Sequence, residues 1–239
     1  MGSAHATGGT SGRCDVIDVV VGSPGAVVEI DAVAAGEGAG NRPRPRKVRQ
    51  TDVRSYLALL RGVNVGGKNK LVMSALYERL TDLGLEDVST VLATGNVLLR
   101  SSKPARTLGQ QIESVLVEDF GLHQEPVKVL VLTAAQVKAV VEDKPDHFGD
   151  EPDTYHCDAI FLIGISASSA MTAFNPQEGV DRIWPGEGVI YSQRLSAQRT
   201  KSRLSTVMSS PLYKSMTIRS WSTTVKLNNR LSALDASRK

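Results

Sequence analysis

From Tyr56 onward the chain alternates short apolar runs with stretches in which apolar residues recur every three or four positions. Tyr56-Leu57-Ala58-Leu59-Leu60 is uninterrupted, the pattern of a buried strand. It gives way to Arg61-Gly62-Val63-Asn64-Val65-Gly66-Gly67-Lys68-Asn69-Lys70, a glycine-rich loop. Met73, Leu76, Tyr77, Leu80 and Leu83 then share one helical face, and Gly84 supplies the stop. Val88 to Ala93 and Val97 to Leu99 are β-rich runs around Thr94-Gly95-Asn96, a tight hairpin signal. A second amphipathic helix turns Leu108, Ile112, Val115, Leu116 and Phe120 inward and ends at Gly121, and Val127 to Leu132 follows as a strand. The order is βαββαβ, that of the ferredoxin-like split βαβ unit.

Thr133 to Val141 reads as a connecting helix with Thr133 as its N-cap. Lys144 to Asp153 is turn-rich and acidic, and it marks the expected boundary between halves. Beyond it the same plan recurs more weakly. Ala159 to Ile163 is a strand and Ser166 to Phe174 a short helix. Asp181 to Trp184 and Val189 to Ser192 form a hairpin, Ser202 to Met208 begins a helix, and Met216 to Arg219 is a strand. Ser220 caps a final helix carrying Val225, Leu227 and Leu231. The expected architecture is α+β, two tandem ferredoxin-like halves packed together, over residues 52–143 and 144–239. Each half is small for a stable core of its own, so a groove between them is the default ligand site.

Residues 1–51 change the picture at the other end. The segment is rich in Gly, Ala, Pro and Val, and it lacks the basic end and apolar run of a signal peptide. Val16 to Val21 could pair as a short strand. Gly, Pro and Arg dominate the rest, too little apolar surface to offset ordering, so a disordered or mis-started extension is expected. Arg42, Arg44, Arg46, Lys47 and Arg49 read either as a solvated linker or as a basic arm for nucleic acid. The 239 residues carry 28 basic and 25 acidic side chains, a net charge of +3. No stretch approaches the roughly 20 apolar residues of a membrane span, so no membrane partner is expected. Two cysteines, Cys14 and Cys157, make no disulfide framework, which fits a reducing cytoplasm.

Candidate chemistry concentrates in the loop after the first strand. Gly62, four residues, then Gly67-Lys68 is the spacing of a Walker A loop, but Asn69 stands where Ser or Thr should hold magnesium. The hairpin that follows the helix also disagrees with the parallel crossover of such folds. No cofactor is therefore expected. The physics of an anion cradle survives: Gly66 and Gly67 let backbone amides converge, and Arg61, Lys68 and Lys70 add charge beside a helix start. The plain alternative is a glycine turn with solvated lysines. Asn64, Asn69 and the turn residue Asn96 complete the expected pocket.

A second basic cluster, Arg194, Arg199, Lys201, Arg203, Arg219 and Lys226, surrounds Trp221. It is either an anion-binding edge with Trp221 stacking on a ring, or a surface around a core tryptophan. Aromatics make up 5% of the chain, too few for a base-stacking sheet, so nucleic-acid binding would run through the backbone alone. Cys157 lies between His156 and Asp158, but neighbours in a strand point to opposite faces and do not share one site. No metal spacing and no catalytic set declares itself.

YLALLRGVNVGGKNKLVMSALYERLTDLGL and VSTVLATGNVLLRSS resemble the N-terminal signature of the bacterial family called domain of unknown function 1697. KSRLS at Lys201 to Ser205 and TIRSWSTTVKL from Thr217 to Leu227 are similar to its C-terminal signatures, although Ser220 and Ser222 stand where the family usually has Asn. The resemblance covers about Val53 to Leu231 and implies a cytosolic protein of two ferredoxin-like halves, with no activity attached. The expectation is a binding protein for a small phosphate-bearing ligand, held by Arg61, Asn64, Gly66, Gly67, Lys68, Asn69, Lys70 and Asn96, with Arg219, Trp221 and Lys226 contributing. The first alternative is an acyl-phosphate or phosphate-ester hydrolase. Acylphosphatases of similar fold use a glycine-rich loop, an Arg and an Asn, which Arg61 and Asn96 match by analogy. The second is weak nucleic-acid binding through the basic patches.

Overall fold

The computed structural model describes residues 53–64, 67–124 and 127–237. All of them fall in one compact unit, Lys47–Lys239. The strand at Val16 to Val21, the basic arm and the expected disorder of 1–51 lie outside the described residues.

Strand β1 (Arg54–Arg61) leads to helix α1 (Met73–Asp82), strands β2 (Glu86–Thr90) and β3 (Asn96–Ser101), helix α2 (Ala105–Glu118) and strand β4 (Lys128–Thr133). Helix α3 (Ala134–Glu142) connects to strand β5 (Tyr155–Leu162), helix α4 (Ala167–Met171) and strands β6 (Asp181–Gly186) and β7 (Val189–Leu195). Three 3-10 turns, Ser196–Lys201, Leu204–Ser209 and Pro211–Ser215, then precede strand β8 (Met216–Ser220) and helix α5 (Trp221–Ala236). The result is α+β with two four-stranded sheets, ordered β2-β3-β1-β4 and β6-β7-β5-β8. Every adjacent pair in both sheets is antiparallel.

Period-two alternation sorts the strand residues among three cores. Tyr56, Ala58 and Leu60 of β1 join Val97 and Leu99 of β3 beneath Leu76, Leu80, Leu108, Ile112 and Leu116 of α1 and α2. The intervening Leu57 and Leu59, with Leu98, enter a middle core that they share with Cys157, Ala159 and Phe161 of β5. Val137 and Val140 of α3 and Leu227 and Leu231 of α5 complete that layer. Ile160, Leu162 and Ile190 face the third core, with Ala170, Val207 and Met216. A strand lined on both faces must be apolar at every position, which accounts for the unbroken run in β1.

The helix caps follow the sequence expectation. Thr133 accepts from the Gln136 amide while Gln136 bonds back to Thr133, a full capping box for α3. Ser220 accepts from the Thr223 amide at the start of α5.

Two segments differ from the expectation. The stretch from Ser202 forms no α-helix. Ser202 and Ser210 each accept a bond from the backbone amide two residues on, and this competition with helical bonding, together with Pro211, breaks the chain into 3-10 turns. The β2–β3 connection is also longer than a tight hairpin. Leu92 and Gly95 take left-handed φ of 60° and 75°, so the ladder stops at Thr90 and resumes at Asn96.

The acidic joint after α3 hides a core residue. Phe148 is fully buried and meets Tyr191, Trp221 and Trp184 edge-on at centroid distances of 5.3, 5.0 and 6.0 Å. Each such pair is worth about 1 kcal/mol beyond area burial. The Tyr191 hydroxyl donates to the Val140 carbonyl at 2.8 Å.

Burial, reinforced by Asp143, raises the Tyr191 pKa to about 12. A raised phenol favours the folded state fully below the ordinary value near 10, and this contribution is lost as pH climbs toward 12. Tyr191→Phe should cost about 1 kcal/mol at pH 7. It should also flatten the fall in stability across pH 10–12, and denaturant titrations at pH 7, 10 and 11.5 measure both effects.

Candidate functional site

The loop after β1 is folded by its own asparagines. Gly62, Asn64, Gly67 and Asn69 all have positive φ (83°, 54°, 79° and 45°), a conformation that Gly tolerates and Asn visits. The Asn64 amide nitrogen donates to the carbonyls of Leu71 and Ala93, and its oxygen accepts from the Leu71 amide. The Asn69 nitrogen donates to the Gly62 carbonyl at 2.8 Å, and its oxygen accepts from the Gln124 amide. Both side chains therefore hold the loop and tie it to the β2–β3 turn and to the connection between α2 and β4. Helix α1 starts at Met73, six positions past Gly67, so Leu71 and Val72 separate the loop from the helix end expected beside it. Gly66 lies outside the described residues.

Asn96 is fully buried at the start of β3. Its nitrogen donates to the Val91 carbonyl at 2.8 Å and to the Thr94 hydroxyl at 3.0 Å. In the turn, a Cβ on Gly95 would stand 2.8 Å from Val63 Cγ2 and 2.9 Å from Leu60 Cβ. Thr94-Gly95-Asn96 is thus pressed against the end of β1, and the Gly95 carbonyl accepts from the Leu60 amide at 2.8 Å.

Arg219 reaches the same place from the other sheet. Met216 and Ile218 of β8 face the third core, so alternation aims Thr217 and Arg219 the opposite way. Its Nε donates to Asn96 Oδ1 at 2.5 Å, and one terminal nitrogen donates to the carbonyls of Leu60 and Gly95 at 3.0 and 3.2 Å. The other donates to the Thr217 hydroxyl at 2.9 Å and the Ile218 carbonyl at 2.8 Å. All five guanidinium hydrogens are satisfied, each by a neutral acceptor. Burial lowers the Arg219 pKa to about 10, which leaves it a cation at neutral pH.

The end of β1, the loop and the 3-10 turns before β8 enclose a cleft of about 800 Å³. Arg61, Lys68, Lys214 and Arg219 line it, and among the described residues no acidic side chain does. The Arg61 guanidinium lies over the Tyr213 ring, 5.4 Å from its centroid. Of the residues expected in the pocket, Arg61, Asn64, Lys68 and Arg219 are brought together here. Asn69 and Asn96 are buried beside it with their amides committed, while Gly67 and Lys70 are exposed and do not line it. Trp221 packs in the middle core against Phe148, and Lys226 is exposed on α5. Lys214, Tyr213 and Met208 had no motif to reveal them, because they reach the cleft only when β8 is placed against β1.

Elsewhere, His156 and Asp158, two apart on β5, pair at 3.2 Å, and burial raises the Asp158 pKa in spite of His156 and Arg194. Cys157 points into the middle core, where burial raises its thiol pKa. Among the described residues no group of three or more His, Cys, Asp or Glu side chains could hold a metal ion. No described helix is long and apolar enough to cross a membrane.

Arg219→Met would strip donors from two buried carbonyls and from Asn96, and should destabilise the fold by about 2–4 kcal/mol. A double-mutant cycle with Asn96→Ala should show a coupling of about 1–3 kcal/mol. Strictly additive losses in urea unfolding would mean that the two side chains do not act as one unit.

No curated protein matches the chain. Among solved structures it is similar to the conserved bacterial protein SP0830 from Streptococcus pneumoniae, at 25% identity and a TM-score of 0.64. The match covers 75% of this chain and 99% of that one. The family model described as "Protein of unknown function (DUF1697)" matches residues 53–191, more than half of the chain. The segment takes in the asparagine-knit loop and the Thr94-Gly95-Asn96 turn, and the chain belongs to the DUF1697 family.

Proposed function

We propose that this protein binds a small phosphate-bearing molecule in the cleft beside the loop after β1, within a chain of two tandem ferredoxin-like halves. The strand orders β2-β3-β1-β4 and β6-β7-β5-β8 support that description of the halves. A cytoplasmic setting suits the free thiol of Cys157.

The observation that carries the binding reading is the charge of the cleft. Arg219 keeps a buried positive charge whose partners are all neutral, and it lines a cleft with Arg61, Lys68 and Lys214 and no acid among the described residues. Burying a charge without a counter-charge is costly, and an anion in the cleft offsets it. Unit charges about 6 Å apart attract by about 3 kcal/mol at an effective dielectric of about 20. A phosphate group matches this demand, since it carries up to two charges and accepts several bonds at once.

Hydrolysis fits less well. An acylphosphatase-like reaction would need the Asn96 amide to hold water, and that amide is occupied by Val91, Thr94 and Arg219. Binding without turnover is therefore the reading we adopt.

Titration calorimetry with pyrophosphate at low salt should give saturable heat that weakens as salt rises. The double variant Lys68→Ala/Lys214→Ala, with both side chains exposed, should keep its fold and lose about tenfold in affinity. Undiminished affinity in that variant would move the site away from the cleft. Acetyl phosphate should yield no phosphate above the blank, and steady release would replace binding with catalysis.

A further inference from the structure

The cleft is larger and more apolar than a phosphate needs. Its volume of about 800 Å³ lies in the range of pockets that take drug-sized ligands, about 300–1,000 Å³. Beside the four basic side chains, its lining includes the exposed apolar side chains of Met208 and Pro211, while Leu60, Val63 and Met216 border it from within the cores. An inorganic anion would leave Met208 and Pro211 wet and unused.

Two details narrow the apolar part of the ligand. Met208 is 57% exposed, one of few large apolar side chains turned to solvent, and it stands on the lining of the cleft. A thioether is flexible, polarizable and attracted to aromatic rings. Tyr213, also on the lining, is half-buried with the Arg61 guanidinium over its ring, so a cation and an aromatic ring stand together there. Hydroxyls of Thr94, Ser209 and Ser210 lie on the same lining and can meet a polar link between the charged and apolar ends.

Resting on the proposed anion site, we infer that the cleft takes a mononucleotide. The phosphate lies toward the basic side chains and the base against Met208 and Tyr213. A sugar phosphate would leave the apolar lining bare, and an alkyl phosphate would cover it without using the affinity of Met208 and Tyr213 for a ring. The three share a phosphate and differ in what it carries, so a comparison among them isolates the inference.

The experiment measures affinities of the full chain for AMP, ribose 5-phosphate, octyl phosphate and pyrophosphate by calorimetry. AMP should bind at least tenfold tighter than ribose 5-phosphate and than octyl phosphate. Met208→Ala should weaken AMP about fivefold and leave ribose 5-phosphate within twofold, while Met208→Leu, which keeps the apolar bulk, should recover part of the loss. Exposure of Met208 makes both variants safe for folding, and their thermal unfolding should match that of the parent chain. If ribose 5-phosphate or octyl phosphate equals AMP while all of them bind, the nucleotide inference falls and the anion site stands. If AMP leads but Met208→Ala leaves it unchanged, the assigned place of the base is wrong and the inference falls with it. If none of the four binds, the anion site and the inference both fall.

Discussion

The Arg219 guanidinium is the interaction on which the rest of this structure depends. It donates from β8 in one sheet to the end of β1 and the turn before β3 in the other, and every acceptor it meets is uncharged. Two of those acceptors are backbone carbonyls at the point where β1 ends, and a third is the side chain that closes the β2–β3 turn. A lysine could not replace it, because a single ammonium has neither the fork nor the five donors that this set of acceptors requires. The arrangement couples fold to site. The contacts that hold the sheets together also fix the position of the loop that lines the cleft, and among the described residues they give the positive charge there only neutral partners.

This convergence gives physical content to segments that are far apart in the sequence. Arg61-Gly62-Val63-Asn64, Thr94-Gly95-Asn96 and Thr217-Ile218-Arg219 meet at one junction. Gly95 is small because the Leu60 and Val63 side chains leave no room for a Cβ. Asn64 and Asn96 are amides because each must donate to backbone carbonyls, and Asn96 must also accept from a cation. Among the polar residues that resembled ligand-binding machinery, Asn64, Asn96 and Arg219 are also the fastenings of that junction.

Local rules made part of this legible in the sequence. The apolar run of β1, the two amphipathic helices, the Thr133 and Ser220 caps and the antiparallel pairing of β2 with β3 all express short-range periodicity or turn chemistry. The residues that escaped are those whose role depends on distant partners. Phe148 sits in a polar, turn-rich segment and reads as part of a solvated joint, yet it fills the space among Tyr191, Trp221 and Trp184. Lys214 and Tyr213 carry no motif, and only the pairing of β5 with β8 and the reach of Arg219 bring them opposite the loop. Ser202 to Met208 reads as a helix in the sequence, since Leu204, Val207 and Met208 are spaced as on one helical face, yet Leu204–Ser209 is a 3-10 turn. The serines that disrupt helical bonding act through hydrogen bonds that periodicity does not register.

The double-faced burial of β1 leaves the first sheet unable to stand alone. With α1 and α2 as its only cover it would shield Tyr56, Ala58 and Leu60 but turn Leu57, Leu59 and Leu98 toward water. Residues of β5, α3 and α5 cover that face in the folded chain. A cut through the segment after α3 would therefore leave two fragments that each expose apolar surface, so the fragments would associate rather than persist as separate monomers.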